Sequence, residues 1–274
     1  MGSPDALDRI VADVRAAQDG AHQLAPVTQR HPGFSLEQAY EVAARVHRQR
    51  VAEGAVPRGR KIGFTNANIW PEYGVHHPIW GWVYEHTLVQ AKADGAATVS
   101  LGGLCEPKIE PEIAFGLRSA PAADADLAAL LDCIEWVAPA FEIVQSHYPG
   151  WKFQAADTVA DGGLHGRLVV GQRVPLSALG ADPAGVLSGL EVPLLRDDSL
   201  VEVGRGSHVL GSPLAALAHL VALLAKQDGS VTLRAGEVVT TGTVTAAYPI
   251  QAGQRWTAQP RGVALRPLVL TLEA

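Results

Sequence analysis

The chain has 274 residues, 47% hydrophobic and 18% charged, enough apolar side chain for a sizeable core and too much for a disordered chain. Twenty-two Lys and Arg stand against 28 Asp and Glu, a net charge of −6 without a block of like charges, so the basic stripe of a nucleic-acid binder is missing. Two cysteines, Cys105 and Cys133, form neither a disulfide framework nor a CxxC pair, which fits a reducing compartment.

Met1-Gly2-Ser3-Pro4-Asp5 has neither the basic nor the apolar region of an export signal. No apolar run approaches the roughly 18 residues of a membrane span, so the expectation is a soluble cytoplasmic protein with no membrane or nucleic-acid partner. Ser3-Pro4 reads as an N-cap and first helical position, with Leu7, Ile10, Val11 and Val14 at helical spacing up to Gly20. Ser35 and Gln38 form a capping box before a second helix with Ala39, Val42, Ala43 and Val46 on one stripe, ended by Gly54 and Pro57. After Arg60 the texture is β-rich. Strands are expected near 61–64, 109–117, 137–144, 167–171, 189–195, 200–204, 237–241 and 264–272, with 189–195 and 200–204 forming a hairpin through Arg196-Asp197-Asp198-Ser199. Helices are expected around 124–133 and 213–226. The fold class is α+β: residues 1–58 a helical lead-in, residues 59–274 an antiparallel or mixed β body.

The sharpest local feature is Ile109-Glu110-Pro111-Glu112-Ile113-Ala114-Phe115. On a strand, Glu110 and Glu112 share one face while Ile109, Ile113 and Phe115 point into the core. Like charges that close repel unless a cation lies between them. Pro111 cannot donate to a ladder, which argues for an edge strand or a bulge. Glu142, inside the apolar run Val137–Val144, is a third carboxylate, and burying it alone is costly. Three carboxylates without a Cys/His cluster suit a hard cation, Mg²⁺ or Mn²⁺. A solvated strand face for the first pair and a salt bridge for Glu142 are the alternatives.

Lys61 opens a glycine-flanked apolar strand and is either a surface lysine or a ligand for a carboxylate or oxo group. Thr240-Thr241-Gly242-Thr243 is a tight glycine turn that offers an anion cradle. Asp161-Gly162-Gly163-Leu164-His165 places a carboxylate and a histidine on a glycine loop; His76, His77 and His147 are further histidines of open role. Trp70, Trp80 and Trp82 read as core, with an apolar substrate tail as the alternative for the last two. No dinucleotide fingerprint, P-loop or GxSxG elbow is present.

Five segments in order, Lys61-Ile62-Gly63-Phe64-Thr65, Ile109–Phe115, Asp157–Asp161, Gly206-Ser207-His208-Val209-Leu210-Gly211 and Val239–Thr243, resemble the 2-keto-4-pentenoate hydratase / 4-oxalocrotonate decarboxylase group of the fumarylacetoacetate hydrolase superfamily. The helical lead-in resembles that group too, so the likeness covers nearly the whole chain. It implies a mixed β-roll like the fumarylacetoacetate hydrolase C-terminal domain, with flanking helices, and Mg²⁺ or Mn²⁺ on Glu110, Glu112 and Glu142. It implies a homo-oligomer, and it admits a complex with a related family member. The substrate would be a small 2-oxo or 2-hydroxydienoic acid from aromatic ring cleavage, processed through a metal-stabilised enolate. Lys61, Asp161 and His165 would be catalytic. Lys61, Phe64, Ile79, Leu164, Thr241 and Thr243 would face the substrate.

Hydration is the first reading, decarboxylation of a 2-oxo-3-enedioate the second. Acylpyruvate-type C–C hydrolysis and a non-catalytic partner subunit are further alternatives. Two departures bear on the choice. The hydratases' Pro-Asp-aromatic-Gly reads Pro78-Ile79-Trp80-Gly81, and their Asp-Asn-Ala-Ser loop reads Asp161-Gly162-Gly163-Leu164. The decarboxylase branch also carries an apolar residue at the first of these positions.

Overall fold

A computed structural model describes residues 4–66, 70, 78–227 and 232–274; Ser3, His76 and His77 lie outside them. The lead-in contains helices α1 (Pro4–Gly20), α2 (Val27–Arg30) and α3 (Leu36–Ala52). The Ser35/Gln38 capping box forms as expected, with Gln38 N donating to Ser35 Oγ at 3.2 Å. The later helices are α4 (Leu127–Cys133), α5 (Ala155–Ala160), α6 (Pro183–Gly189) and α7 (Pro213–Ala225).

Fourteen strands are described. The first seven are β1 (Pro57–Gly63), β2 (Ile79–Tyr84), β3 (Leu88–Gln90), β4 (Ala96–Ser100), β5 (Lys108–Leu117), β6 (Ile134–Val144) and β7 (His165–Val170). The rest are β8 (Val174–Pro175), β9 (Glu191–Arg196), β10 (Ser199–Arg205), β11 (Val238–Thr240), β12 (Tyr248–Pro249), β13 (Arg255–Ala258) and β14 (Leu268–Glu273). One sheet runs β2-β1-β11-β5-β6-β7-β3, with β12 on β5 and β8 on β6; the other runs β10-β9-β13-β14-β4. β1–β11, β3–β7 and β4–β14 pair in parallel, so the body is mixed rather than antiparallel.

Alternation along β5 and β6 separates two environments. Ile109, Ile113, Phe115, Phe141 and Ile143 are fully buried in the main core, which also takes the apolar face of α7 (Leu214, Leu217, Leu220, Leu224) and Trp256. Each such side chain contributes about 1.5–3 kcal/mol by leaving water. The other face carries Glu110, Glu112 and Ala114 opposite Glu142, Ala140 and Ala138 in cross-strand register. Gly206–Ala225 is long and apolar enough by composition to span a membrane, against the expectation that no such run exists, but α7 within it is a core helix with those four leucines at 3% exposure or less.

The edge placement inferred from Pro111 is not observed: β5 is central. Its partners β11 and β12 reach only Ala114–Gly116 and Lys108–Ile109, however, and leave a gap on one side of Glu110–Ile113. The Pro111 carbonyl points into that gap and accepts Val244 N–H at 3.0 Å, so the missing proline N–H falls where no ladder bond is required. The same gap opens the site.

The expected hairpin forms with Ser199 opposite Arg196 and a two-residue turn, Asp197 (φ 48°) and Asp198 (φ 65°). The lead-in packs on the body: Ile10, Val11, Val14, Val42 and Val46 share a cluster with Ile79 and Val159.

Candidate active site

Glu110 and Glu112 on β5 and Glu142 on β6 bring one carboxylate oxygen each within 4.8 Å of one another. Glu112 and Glu142 are 1% and 0% exposed, while Glu110 borders a cleft of about 750 Å³. Glu112 Oε2 accepts the Gly242 N–H at 2.8 Å. Gly242 is at φ 90°, and a Cβ there would lie 2.0 Å from Thr65 Oγ1, so glycine alone fits. Glu142 is held from both sides: His165 Nδ1 lies 2.8 Å from Oε1, and Lys61 Nζ lies 3.3 Å from Oε2. Lys61 Nζ also donates to the Gly163 carbonyl at 2.9 Å. The ammonium faces Oε2 as an ion pair without hydrogen-bond alignment, so both Glu112 Oε1 and Glu142 Oε2 are buried without a hydrogen-bond partner.

Two like charges 4.8 Å apart repel by about 3.5 kcal/mol at an effective dielectric of 20. One lysine cannot offset all three pairs. Burial, and then Glu142, push Glu110 up to about 7. Burial, then Glu142 and Glu110, hold Glu112 well above the carboxylate range. Burial acts on Glu142 in the same sense, but Lys61 and His165 override it and leave that group lowered. Burial alone would lower Lys61; Glu142, Glu110 and Glu112 outweigh it and keep the ammonium protonated. Two orphaned buried oxygens in an oxygen-only donor set of excess negative charge fit a hard divalent cation.

The cleft is lined by Lys61, Phe64, Ile79, Leu164 and Thr243, as expected, and also by Trp151, Phe153, Leu210 and His208. Among the described residues, the large apolar side chains on left-handed backbone are Phe64 (φ 54°), Trp151 (φ 60°), Leu164 (φ 62°) and Leu210 (φ 53°), and all line the cleft. That conformation costs about 1–2 kcal/mol per residue and persists where surrounding bonds fix it. Trp70 Nε1 donates to Phe64 O at 2.8 Å, Leu210 N to Thr65 O at 3.0 Å, Leu164 N to Asp161 O at 3.2 Å, and Trp151 N to Tyr148 O at 3.2 Å.

Three expected site residues stand elsewhere. Thr241 is fully buried, and its hydroxyl donates to Ile113 O at 2.8 Å. Asp161 and His165 line a second cavity of about 240 Å³ together with Trp80 and Trp82, not the cleft. Asp161 accepts from Gln18 Nε2 at 3.0 Å and pairs with buried His147 at 2.9 Å. His165 therefore reaches the cluster from behind, through Glu142. Gly162 (φ 66°) and Gly163 (φ 74°) reverse the chain between these residues, and a Cβ on Gly163 would lie 3.0 Å from Lys61 Cδ. The indoles of Trp80 and Trp82 flank Arg60, 5.6 and 3.3 Å from its guanidinium carbon. The tail-binding alternative for these two tryptophans is thus replaced by packing at the second cavity.

Sequence reasoning assigned no role to Gly163 O, Thr87, Trp151 or Leu210, while the Gly242 N–H belongs to the turn expected to cradle an anion and holds the Glu112 carboxylate. Gly242 lay inside the noted Thr-Thr-Gly-Thr turn, and Leu210 inside the noted Gly206–Gly211 segment, so both carried a signal.

Residues 76–265 match the family model described as the fumarylacetoacetate (FAA) hydrolase C-terminal. The chain belongs to the fumarylacetoacetate hydrolase family. Within it, the chain sits with the hydratase/decarboxylase group. It is 34% identical over 245 residues to the 2-hydroxyhexa-2,4-dienoate hydratase of Comamonas testosteroni, covering 86% of each chain. It is 29% identical over 262 residues to the 4-oxalocrotonate decarboxylase of Pseudomonas sp. strain CF600, covering 94% of each. The solved 4-oxalocrotonate decarboxylase from Pseudomonas putida G7, complexed with magnesium and adipate, superposes with a TM-score of 0.88 at 28% identity, over 99% of this chain and 98% of that one. This family likeness spans the helical lead-in and the β body alike.

Proposed function

We propose that the protein is a divalent-metal-dependent lyase that hydrates a small 2-hydroxy-2,4-dienoate or its 2-oxo-4-enoate tautomer in the breakdown of aromatic ring-cleavage products. The observation that carries the reading is the group Glu110, Glu112 and Glu142, with two buried orphan oxygens, at the wall of a cleft that also holds Lys61. Those three carboxylates would hold Mg²⁺, with Mn²⁺ as the alternative ion of the same preference for oxygen. When bound, the cation supplies Lewis-acid stabilisation of negative charge developing on a 2-oxo acid.

The chain's own groups do the rest. Lys61, kept protonated, is a fixed cationic donor beside the head of the substrate; it orients an oxo group and does not act as a neutral base. The Gly242 turn fixes Glu112. The Thr243 hydroxyl donates to Thr245 O at 3.0 Å and closes its own turn, so it shapes the head of the cleft. Ile79 and Leu164 present hydrocarbon where the hydratases carry acidic and hydroxyl groups, and they keep water off that wall. Asp161 acts at a distance from the cleft by pinning His147 and Gln18.

Decarboxylation of a 2-oxo-3-enedioate is the second reading, supported by the likeness to solved decarboxylase and by Ile79. The homo-oligomer and the cytoplasmic setting belong to the same proposal. Leu200, 63% exposed on the terminal strand β10, offers an apolar edge for a second copy, which light scattering of the purified protein would reveal.

The test incubates the protein with Mg²⁺, and separately with EDTA, with 2-hydroxypenta-2,4-dienoate and with 2-oxohex-3-enedioate, followed by ultraviolet loss and NMR of the products. Metal-dependent formation of a 4-hydroxy-2-oxo acid is expected. Release of CO₂ instead selects the decarboxylase, and no change in either compound refutes both reactions.

A further inference from the structure

The wall of the cleft beyond the acidic cluster carries information about the other end of the substrate. Phe64, Trp151, Leu164 and Leu210 are held on left-handed backbone, a conformation in which large apolar residues are rare, and every one of them lines the cleft. Phe153 and Ile79 add to the same apolar surface. The basic groups on the wall are few and each already has a partner; His208, for one, has Nδ1 2.9 Å from the Val244 carbonyl. Among the described lining residues there is no arginine, and the lysines are Lys61 and Lys108. Lys61 is engaged by Glu142 and the Gly163 carbonyl. Lys108 Nζ sits 3.9 Å from the centroid of the Trp151 ring. The remaining acidic group on the wall, Glu202, accepts Tyr248 O–H at 2.8 Å and Ala246 N–H at 2.9 Å and would repel an anion.

We propose that Phe64, Trp151, Leu164 and Leu210 form a tail subsite that selects monocarboxylic substrates with an alkyl end over dicarboxylic ones. This rests on the reading of the site as one for 2-oxo acids and narrows it: a substrate has one carboxylate, at the head, and a hydrocarbon continuation packed on the strained wall. The strain has a specific use. The four strained residues come from separate segments of the chain, and all present apolar surface to the one cleft.

Calorimetric titration separates the tail from the head. The intact protein in saturating Mg²⁺ is titrated with 2-oxohexanoate and with 2-oxohexanedioate, unreactive acids with the same head and different tails. The expected result is binding of 2-oxohexanoate at least about tenfold tighter, since a carboxylate on an apolar wall loses its hydration without a partner. Leu164→Asn and Leu210→Asn are expected to shrink that ratio while melting as cooperatively as the parent, because Asn is the non-glycine residue best suited to left-handed backbone. If both acids bind in a Mg²⁺-dependent way and the diacid binds equally or more tightly, the tail subsite is refuted and the 2-oxo acid head stands. If the ratio survives in well-folded variants, the assignment to these residues is refuted. If neither acid binds, the reading of the head fails, and the tail proposal fails with it.

Discussion

Glu112→Gln removes one charge from the acidic cluster with little change of shape. In the metal-free protein Glu112 is 1% exposed, accepts the Gly242 N–H at 2.8 Å and leaves Oε1 unpartnered. Burial, Glu142 and Glu110 raise its pKa well above the usual carboxylate range and favour the protonated form, which the glutamine amide resembles. Removing a charge that repels each neighbour by about 3.5 kcal/mol when ionised costs the metal-free fold nothing, so in EDTA the variant is expected to melt at or above the parent temperature. The response to metal reverses the order. A cation present at about 100 times its Kd stabilises the parent by about 2.7 kcal/mol. Unfolding entropy of about 2.1 cal/mol/K per residue over 274 residues converts this into a rise of about 5 °C. If loss of one of three ligands weakens binding by about 100-fold, the same Mg²⁺ concentration supplies about 0.4 kcal/mol, a rise below about 1 °C. Differential scanning fluorimetry at pH 7, with Mg²⁺ and with EDTA, measures both. A variant that melts several degrees low in EDTA contradicts the protonated reading. A full Mg²⁺ response contradicts ligation by Glu112.

Glu110, raised from 4.5 to about 7 by burial and Glu142, favours the metal-free fold while protonated. That contribution is complete below about 4.5 and is lost as pH rises through about 7, so the stability of the parent relative to Glu110→Gln should decline over that window in denaturant melts with EDTA; a relative increase refutes it. Lys61→Met removes the ammonium that faces the carboxylates, and breaking a buried pair costs about 3–5 kcal/mol. The metal-free variant should melt lower, Mg²⁺ should restore part of the loss, and turnover should fall by about 100-fold or more in a stopped ultraviolet assay. His165→Ala should weaken Mg²⁺ binding by about 10–100-fold in calorimetry, while His165→Asn, which keeps a donor toward Glu142, should recover part of it; equal affinity in all three excludes a positioning role. Gly242→Ala places a Cβ 2.0 Å from Thr65 Oγ1 at φ 90°, and should lower both the melting temperature and Mg²⁺ affinity, because the displaced turn carries the N–H that holds Glu112.

The acidic cluster was legible because its signals are local. The period of two places Glu110 and Glu112 on one face, and a carboxylate inside an apolar strand such as β6 needs a partner wherever the chain goes. What lies on which side of a glycine turn is not local. Asp161 and His165 flank Leu164 in sequence, yet Gly162 and Gly163, both at positive φ, send Leu164 to the cleft and the other two to the second cavity. Thr241 failed for a related reason: the residues of a tight turn alternate between core and cleft, and its hydroxyl falls to Ile113 O. β2 escaped detection because Ile79, Trp80, Val83 and Tyr84 are all buried, which erases alternation, and β3, β8, β12 and β13 are four residues or shorter. The left-handed apolar residues had no sequence signal, since φ > 0 is normally announced by Gly or Asn.

The charge balance of the head supports the same division between head and tail. The Thr87 hydroxyl donates to the Tyr84 carbonyl at 3.0 Å, which can only accept, and receives the Tyr84 N–H at 3.3 Å. His165 Nε2 lies 2.9 Å from the same hydroxyl oxygen. His165 Nδ1 in turn lies 2.8 Å from Glu142 Oε1. In the proposed metal-bound state, three ionised carboxylates against Lys61 leave two negative charges. A divalent cation would cancel these, and a single substrate carboxylate would face that cation and Lys61. A second carboxylate adds a charge that nothing in the head balances. It would have to be met at the tail, where Phe64, Trp151, Leu164 and Leu210 present hydrocarbon and Glu202 is acidic. On the reading proposed above, the apolar Ile79 and Leu164 would then bear on what the cleft selects along the substrate, while Lys61 and the carboxylate cluster would meet its acidic end.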